Sequence, residues 1–211
     1  MRSLVLALVL ARPGLVVAQE PVPPLPSFVE LEAAGAKVGE IRIRNQNIFD
    51  TEDPKEDKLL FRWANALHIQ TRVVVIERAL LFNRGEPLSV RLIDETERVL
   101  RSNRYLYDVR ISPVAYHDGV VDIEVATRDS WTLDPGTSAG RAGGANSSAL
   151  TLREYNLLGT GIAVSYGHSS NVDRSSNEFQ FTNNHAFGGW TSLSYSLAKN
   201  SDGQRQTVKI A

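Results

Sequence analysis

The sequence predicts an α+β domain followed by antiparallel strands of a transmembrane β-barrel. Between residues 38 and 128, apolar residues recur first at helical spacing and then at strand spacing. After residue 128 the helical spacing stops, and glycine, serine, asparagine and threonine become frequent. From there onward apolar and polar residues alternate, as they do in strands with two different faces. We therefore expect one domain over residues 38–128 and barrel strands over residues 129–211.

The N-terminus has the features of an export signal. Arg2 gives a positive start, an apolar stretch follows, and small residues end at Ala18. We expect residues 1–18 to be a signal peptide that directs the protein out of the cytoplasm. Residues 19–37 hold four prolines near their start and predict an extended spacer, because proline fixes φ and donates no backbone hydrogen bond. The spacer is either a tether or a plain unstructured N-terminus.

A strand and an insertion open the α+β domain. Ile41 and Ile43 alternate with charged residues, which is typical of a half-buried strand. Residues 49–71 are longer than a plain connection to the next element, which indicates an insertion with its own helix. The apolar face of this amphipathic helix is predicted to consist of Leu59, Leu60, Trp63 and Leu67.

Two helices and a hairpin complete the domain. Apolar residues recur at helical spacing over residues 73–80 and again over residues 89–100, where Ser89 is in position to cap the helix. Residues 107–111 then alternate between apolar and polar, and a tight turn at residues 118–119 leads into a second apolar strand. The predicted order is β-α-α-β-β, with both helices packed on one face of the sheet.

The segments after residue 128 have the length of membrane-crossing strands. Each is about 10 residues long, which is what a tilted strand needs to cross a bilayer. In the best example Leu193, Tyr195 and Leu197 alternate with serines, so that one face suits lipid and the other a polar lumen. Turn signals separate the segments at residues 143–144, 159–161, 171–173, 188–189 and 202–203.

Four aromatic residues flank predicted strands and indicate either girdles at the membrane interface or simple turn-flanking positions: Trp131, Tyr155, Phe187 and Trp190. We predict about six strands before Ala211, whereas a closed barrel needs at least about eight. An open edge in lipid would leave unpaired backbone groups. The chain is therefore expected to be the N-terminal part of a longer protein.

Two segments resemble a known domain. The runs LFNRGEPL at residues 81–88 and LRSNRYLYDVRI at residues 100–111 are similar to a POTRA (polypeptide-transport-associated) domain. In particular they resemble the membrane-proximal POTRA domain of the BamA/TamA outer-membrane assembly-factor superfamily. The similarity extends to residues 47–50, 68–72 and 127–133.

One position departs from this resemblance. Arg104 stands where many relatives place a glycine before the aromatic residue that opens the second strand. We expect Asn103 to adopt the positive φ of that turn instead, since asparagine tolerates it.

The resemblance implies a function at the outer membrane. We expect an assembly, insertion or polypeptide translocation factor whose POTRA-like domain lies in the periplasm and docks the substrate polypeptide, while the barrel inserts it. The expected partners are unfolded outer-membrane polypeptides, the lipid bilayer and accessory periplasmic or lipoprotein subunits. One alternative is a two-partner-secretion-type or passenger-carrying outer-membrane transporter. Another is a soluble periplasmic binding module followed by a β-sandwich.

One strand is a candidate for binding polypeptide. An edge strand offers free N–H and C=O groups, to which an incoming strand can add by β-augmentation. We predict such an edge in the strand that contains Tyr105, Tyr107, Val109 and Ile111. The alternative is that this edge only stabilises the domain or contacts the barrel.

The sequence does not predict an enzyme, a cofactor site or a nucleic-acid-binding protein. Cysteine is absent, the formal net charge is -1, and the four histidines show no metal-ligand spacing. The acidic residues at positions 50–57 are interleaved with lysines and lack the glycine of a calcium loop, so a solvated loop is expected there.

Overall fold

The computed structural model describes residues 25–211. The predicted signal peptide, residues 1–18, and the first part of the predicted spacer, residues 19–24, lie outside the described residues. The described chain contains a three-stranded sheet and a six-stranded sheet.

The small sheet has the strand order β1-β3-β2. Strand β1 (Lys37–Gln46) runs parallel to β3 (Val120–Asp129), and β2 (Leu106–His117) runs antiparallel to β3. Four helices belong to this part of the chain: α1 (Phe28–Ala33), α2 (Leu59–Leu67), α3 (Val73–Glu77) and α4 (Val90–Arg101). The predicted order of strand, two helices and hairpin is confirmed by β1, α3, α4, β2 and β3, and the predicted helix in the insertion by α2.

The core lies between the helices and one face of the small sheet. Helix α4 buries Ile93, Thr96 and Leu100, which face the sheet as the helical spacing predicts. Strand β3 supplies Val121, Ile123 and Val125, each 0% exposed. All but Thr96 belong to one apolar cluster, which provides most of the burial that stabilises this part of the chain.

The predicted spacer is wrong in its second half, because residues 28–33 form α1. Ser27 caps this helix, and the Glu30 side chain accepts a hydrogen bond from the Ser27 backbone N–H, which makes a capping box. Leu31 is 1% exposed and packs in the core. The Ser27 cap and the burial of Leu31 stabilise this short helix. Neither signal was recognised in the sequence, because the segment follows directly on the prolines.

The large sheet is an antiparallel meander in which each strand pairs with the next one along the chain. The predicted number of six strands is confirmed, and the predicted glycine and asparagine turns separate them. A 3-10 helix, Leu157–Gly159, connects the second and third of these strands. The strands are β4 (Leu133–Ala142), β5 (Ala145–Glu154), β6 (Ile162–Ser170), β7 (Ser175–Ala186), β8 (Thr191–Asn200) and β9 (Gly203–Ile210).

Apolar side chains share one face of the large sheet. Tyr195 of β8 lies between Phe181 of β7 and Val208 of β9, and Phe181 is also paired with Val164 of β6. A second row contains Leu152, Tyr166, Phe179 and Leu197. We call this face the apolar face. Leu152 and Tyr166 are 48% and 52% exposed, whereas Val164, Phe181 and Tyr195 are partly exposed.

The opposite face, which we call the polar face, carries small and polar residues. Ser196 lies between Gln180 and Thr207, and Gln180 is paired with Ser165. A β-sandwich would bury the apolar face under a second sheet, and within residues 25–211 the only other sheet is the small one, whose helices cover its own core. Within the described residues, no second sheet packs on the apolar face as the sandwich alternative requires.

Among residues 25–211, no helix has both the length and the apolar character required to cross a membrane.

The Leu100→Ala substitution tests the core assignment. Leu100 is 1% exposed, so its truncation is expected to lower the free energy of unfolding by about 2–5 kcal/mol. Hydrogen–deuterium exchange of the α4 and β3 amides in the folded protein measures this loss. Asp94→Ala, at an exposed position of the same helix, is the control and should leave exchange nearly unchanged. Equal exchange in both variants would contradict the assignment.

Candidate functional site

Strand β2 lies at an edge of the small sheet, since its only partner among the described strands is β3. Of the four predicted edge residues, Tyr105, Val109 and Ile111 are buried at 7%, 0% and 7% exposure, and Tyr105 immediately precedes the strand. Tyr107 is 75% exposed. Three of these side chains therefore belong to the core, and only the backbone of the strand is available at the edge.

The expectation that Tyr107 shares a face with Val109 is wrong. The pairing of β2 with β3 shifts register between Leu106 and Asp108, so a bulge at Tyr107 reverses the alternation. Leu106 is buried instead, and the Tyr107 ring lies 5.7 Å from the Arg128 guanidinium carbon, within the range of a cation–π contact.

The outer backbone groups of β2 are partly occupied. The Val109 N–H donates to Asp108 Oδ1 at 2.9 Å, and the Val109 carbonyl accepts from Arg101 Nη2 at 2.6 Å. Pro113, four residues further along, has no N–H to donate. Local side chains and a proline are devices that protect an edge against pairing. Polypeptide binding at β2 remains a prediction, and the edge is blocked at least at Val109 and Pro113.

Strand β4 presents a more regular and more open edge. It pairs with β5 over all ten of its residues without a register shift, and no described strand lies on its other side. Residues 137–141 are all exposed, and four of the five are threonine, serine, alanine or glycine. Pro135 also fits this position, because proline within a sheet is confined to edges and bulges. An accessible, regular edge of this kind is a template for strand pairing.

The start of β4 is fixed by a buried carboxylate at the end of β3. Asp129 is 0% exposed, and its Oδ2 accepts from the Thr71 backbone N–H at 2.7 Å and from His68 Nε2 at 2.9 Å. The side chains of His68 and Asp129 are 4% and 0% exposed, so this pair is closed to substrate and acts as a structural bond. We call the segment 68–72, the end of β3 and the loop after β5 the junction.

Asn156 connects the loop after β5 to the same segment. Its Nδ2 donates to Thr71 Oγ1 at 2.8 Å, and its Oδ1 accepts from the Gly161 N–H at 2.7 Å. The Arg72 N–H also donates to the Gly159 carbonyl at 2.9 Å. The sequence did not predict a role for Asp129, His68 or Asn156. Part of the signal was present, because the resemblance to a POTRA domain includes residues 68–72 and 127–133.

Two glycines allow the junction to close. Gly159 has a φ of +72°, and a Cβ there would lie 2.2 Å from the Gln70 carbonyl oxygen. Gly161 also has a φ of +72°, and a Cβ there would lie 2.8 Å from Val75 Cγ1. Both positions therefore require glycine for conformation and for space.

Arg104 forms a further bridge to the large sheet. Its Nη1 donates to the Tyr155 hydroxyl at 2.8 Å, and Tyr155 in turn donates to Asp134 Oδ2 at 3.4 Å. The expectation of a positive φ at Asn103 is wrong, because the φ of Asn103 is not positive. Its side-chain amide instead donates to carbonyls of the last turn of α4, at 3.1 and 3.2 Å.

Tyr105, next to the junction, has a hydroxyl group whose pKa is strongly shifted. Burial raises the pKa of its hydroxyl to about 12, and the negative charge of Asp129 adds to the rise. The hydroxyl therefore stays protonated over the physiological range, and Tyr105 acts there as a neutral core residue.

The predicted girdle residues lie at the strand ends. Trp131 precedes β4, Tyr155 follows β5, Phe187 follows β7 and Trp190 precedes β8. All four therefore lie at the end of the large sheet that adjoins the small one. Of the four, Tyr155 contacts the polar residues Arg104 and Asp134, whereas Phe187 is 85% exposed.

Within residues 25–211, no group of three or more histidine, aspartate or glutamate side chains is arranged to hold a metal ion.

The fold is similar to two solved structures. One is a crystal structure of BamA from Haemophilus ducreyi lacking POTRA domains 1–3, with a TM-score of 0.52 and 17% identity, over 80% of this chain and 31% of that chain. The other is CdiB from Acinetobacter baumannii, with a TM-score of 0.53 and 13% identity, over 79% of this chain and 28% of that chain.

This chain shares its fold with part of both structures. The similarity to a BamA-type protein predicted from the sequence is therefore confirmed at the level of the fold. The chain spans less than a third of either structure. No protein-family model matches the chain, and no curated protein sequence does.

The Gly159→Ala substitution tests the junction. The added Cβ meets the Gln70 carbonyl, so we expect faster hydrogen exchange at residues 68–72 and 129–133. Gly188→Ala is a matched control, because Gly188 has a φ of +79° but open space around it. Both variants carry the strain of positive φ, about 1–2 kcal/mol, and only Gly159→Ala adds the clash. Equal exchange at the junction in both variants would show that the close approach is unimportant.

Proposed function

We propose that this chain is the periplasmic and first membrane-spanning part of an outer-membrane factor that assembles β-barrel proteins or translocates polypeptides. In this proposal residues 38–128 are a POTRA-like domain in the periplasm, and the strands from β4 onward form the start of a barrel wall. The substrate is an unfolded outer-membrane polypeptide, and accessory periplasmic or lipoprotein subunits are additional partners. No nucleotide or metal takes part.

The division of the large sheet into two faces is the observation that carries this proposal. Tyr195 and its neighbours Phe181 and Val208 form an uncovered apolar row, whereas Ser196 and its neighbours Gln180 and Thr207 lie directly behind it. In water an uncovered apolar face of six strands is unfavourable. A barrel wall resolves this, since one face contacts lipid, the other faces a polar lumen, and each backbone group bonds to an adjacent strand.

Pairing at β4 supplies a mechanism of insertion. An unfolded strand in a bilayer must satisfy its backbone N–H and C=O groups, each of which costs several kcal/mol when unpaired. The exposed β4 edge can satisfy them by hydrogen bonding to the incoming strand. Because the junction fixes the start of β4, this edge is held in place while its far end remains accessible.

The transporter alternative has its own support in the similarity to CdiB, whose TM-score of 0.53 is close to the 0.52 for BamA. A transporter moves polypeptide along the polar face, whereas an insertion factor pairs it at the β4 edge. The two functions therefore predict different contacts for the substrate.

The first test concerns the membrane. Tyr195→Arg places a charge on the apolar face and is expected to cost up to about 2–4 kcal/mol in the bilayer, so most of the protein should become extractable by alkaline carbonate. Ser196→Arg, on the polar face of the same strand, is the control and should remain in the membrane fraction. Equal extraction of the two variants, or of the unaltered protein, would contradict a membrane-spanning sheet.

The second test concerns the substrate. Thr137 of β4 and Leu150 of β5 are directly paired exposed residues of the apolar face, but only Thr137 belongs to an edge. With the protein in vesicles and an unfolded outer-membrane polypeptide that carries single cysteines, Thr137→Cys should form disulfide crosslinks and Leu150→Cys should not.

A third position separates the two functions in the same experiment. Ser165→Cys lies on the polar face of β6. Crosslinks at residue 165 without crosslinks at residue 137 would favour translocation over insertion. An absence of crosslinks at all three positions would contradict both.

A further inference from the structure

Helix α2 exposes the apolar face that an amphipathic helix normally buries. Phe61, Ala64 and Asn65 lie on the side that packs against the domain, whereas the larger apolar side chains point outward. None of the residues of α2 is fully buried by the rest of the described chain. The exposed fractions are 74% for Leu59, 74% for Leu60, 62% for Trp63 and 70% for Leu67.

Specific contacts hold α2 in this orientation. The Phe61 ring stacks on the Phe49 ring with a centroid distance of 4.0 Å and an interplanar angle of 6°. Asn65 binds the Phe49 backbone twice, with its Oδ1 accepting from the N–H at 3.1 Å and its Nδ2 donating to the carbonyl at 2.8 Å. His68, directly after the helix, is bonded to the buried Asp129. Because these contacts fix the rotation of the helix, its Leu and Trp side chains stay outward.

The exposed face of α2 continues into the base of the large sheet. Leu67 and Ile69 line a cleft together with Trp131 and Leu133, and Leu157 and Leu158 of the connection between β5 and β6 complete its apolar wall. Leu133 begins a row of the apolar face that continues to Val164 and Phe181, with one charged residue, Glu154 of β5, between them. The cleft therefore adjoins the apolar face of the large sheet at Leu133.

The same end of the sheet carries further exposed apolar residues. Phe187 is 85% exposed, Trp190 53%, Leu158 54% and Trp131 48%. Tryptophan and other aromatic residues concentrate at the level of the lipid headgroups in membrane proteins. Helix α2 thus lies next to this end of the large sheet. If the sheet spans the bilayer, this end is at the depth of the lipid headgroups.

We propose that α2 lies in the membrane interface, with Leu59, Leu60, Trp63 and Leu67 inserted among the lipid headgroups and upper acyl chains. This inference rests on the proposed function, because it requires the large sheet to span the bilayer. The occupant of the exposed face is a phospholipid surface.

Continuity with the sheet and the residue types favour lipid over a protein partner. Leucine and tryptophan on one face with basic residues at its margin are typical of interfacial helices. Lys58 and Arg62 lie at that margin, and long basic side chains can reach the headgroups while their stems stay apolar. The Arg62 guanidinium also binds the Asp57 carboxylate, with Nη2 2.6 Å from Oδ2, and the Lys58 Nζ lies 5.3 Å from the centre of the Phe61 ring. In this arrangement α2 anchors the insertion at residues 49–71, and through Asp129 it sets the height of the junction above the bilayer.

Single labelled cysteines in the protein test this proposal, since residues 1–211 contain no native cysteine. Leu60→Cys reports on α2, Leu193→Cys on the apolar face of the large sheet, and His117→Cys on the far end of β2, about 30 Å from the junction. Each is labelled with an environment-sensitive nitrobenzoxadiazole dye. The protein is then reconstituted into phosphatidylethanolamine and phosphatidylglycerol vesicles with or without lipid that carries a nitroxide high on its acyl chain.

The expected result is strong nitroxide quenching at residues 60 and 193, by at least about twofold, and little at residue 117. Quenching at 193 without quenching at 60 would overturn the interfacial helix while leaving the proposed function intact. No quenching at either position would overturn both. A dye at residue 60 that is protected from aqueous iodide but not quenched by the lipid nitroxide would instead indicate a protein or a second copy of this chain on α2, and would overturn the lipid assignment.

A change of polarity tests the same helix without a label. Trp63→Glu is expected to weaken binding of the α2 region to the bilayer and to increase hydrogen exchange in residues 59–67 of the reconstituted protein. Trp63→Phe keeps an apolar ring and is the matched control. Trp63 is 62% exposed, so neither change should disturb the core. Identical exchange in both variants would contradict the proposal.

Discussion

The buried carboxylate of Asp129 is the interaction on which the arrangement of this chain depends. It lies at the last residue of β3, four residues before β4 begins, and it bonds both the Thr71 backbone and the His68 ring. Hydrogen bonds to a charged group contribute roughly 1.5–3 kcal/mol each, and a carboxylate buried without them is very unfavourable. These bonds therefore constrain the path of the chain from the end of β3 to the start of β4. Asn156 extends the same constraint from Thr71 to the loop between β5 and β6.

This constraint explains why the edges at β2 and β4 differ. Strand β2 belongs to the small sheet, where Asp108 and Arg101 occupy the outer groups of Val109. Strand β4 begins at the junction and continues away from it, so only its first residues are held while residues 137–141 are exposed. A soluble domain normally protects such an edge. The proposed function accounts for this openness, because in it another strand pairs with β4.

Regular features could be predicted from the sequence, whereas features set by a single residue could not. The period-two alternation around Tyr195 and the turn at residues 188–189 are local signals, and they gave the number of strands in the large sheet correctly. The bulge at Tyr107 could not be predicted, because it reverses the alternation through one unpaired residue. The bond between His68 and Asp129 joins residues 61 positions apart, and neither residue belongs to a recognisable ligand spacing. Helix α1 was missed because its Ser27 cap follows directly on the prolines.

Helix α2 shows how a correct prediction of secondary structure can give the wrong environment. Its amphipathic pattern predicted a helix, and such a pattern usually implies that the apolar face packs on the core. Here Asn65 and His68 supply directional bonds on the opposite face, and the Phe61 ring stacks on Phe49, outside the core cluster. Hydrogen bonds fix orientation where the hydrophobic effect, which has no direction, would rotate the helix inward. In the proposed arrangement, one bilayer provides the apolar environment for both the outward leucines of α2 and the apolar face of the large sheet.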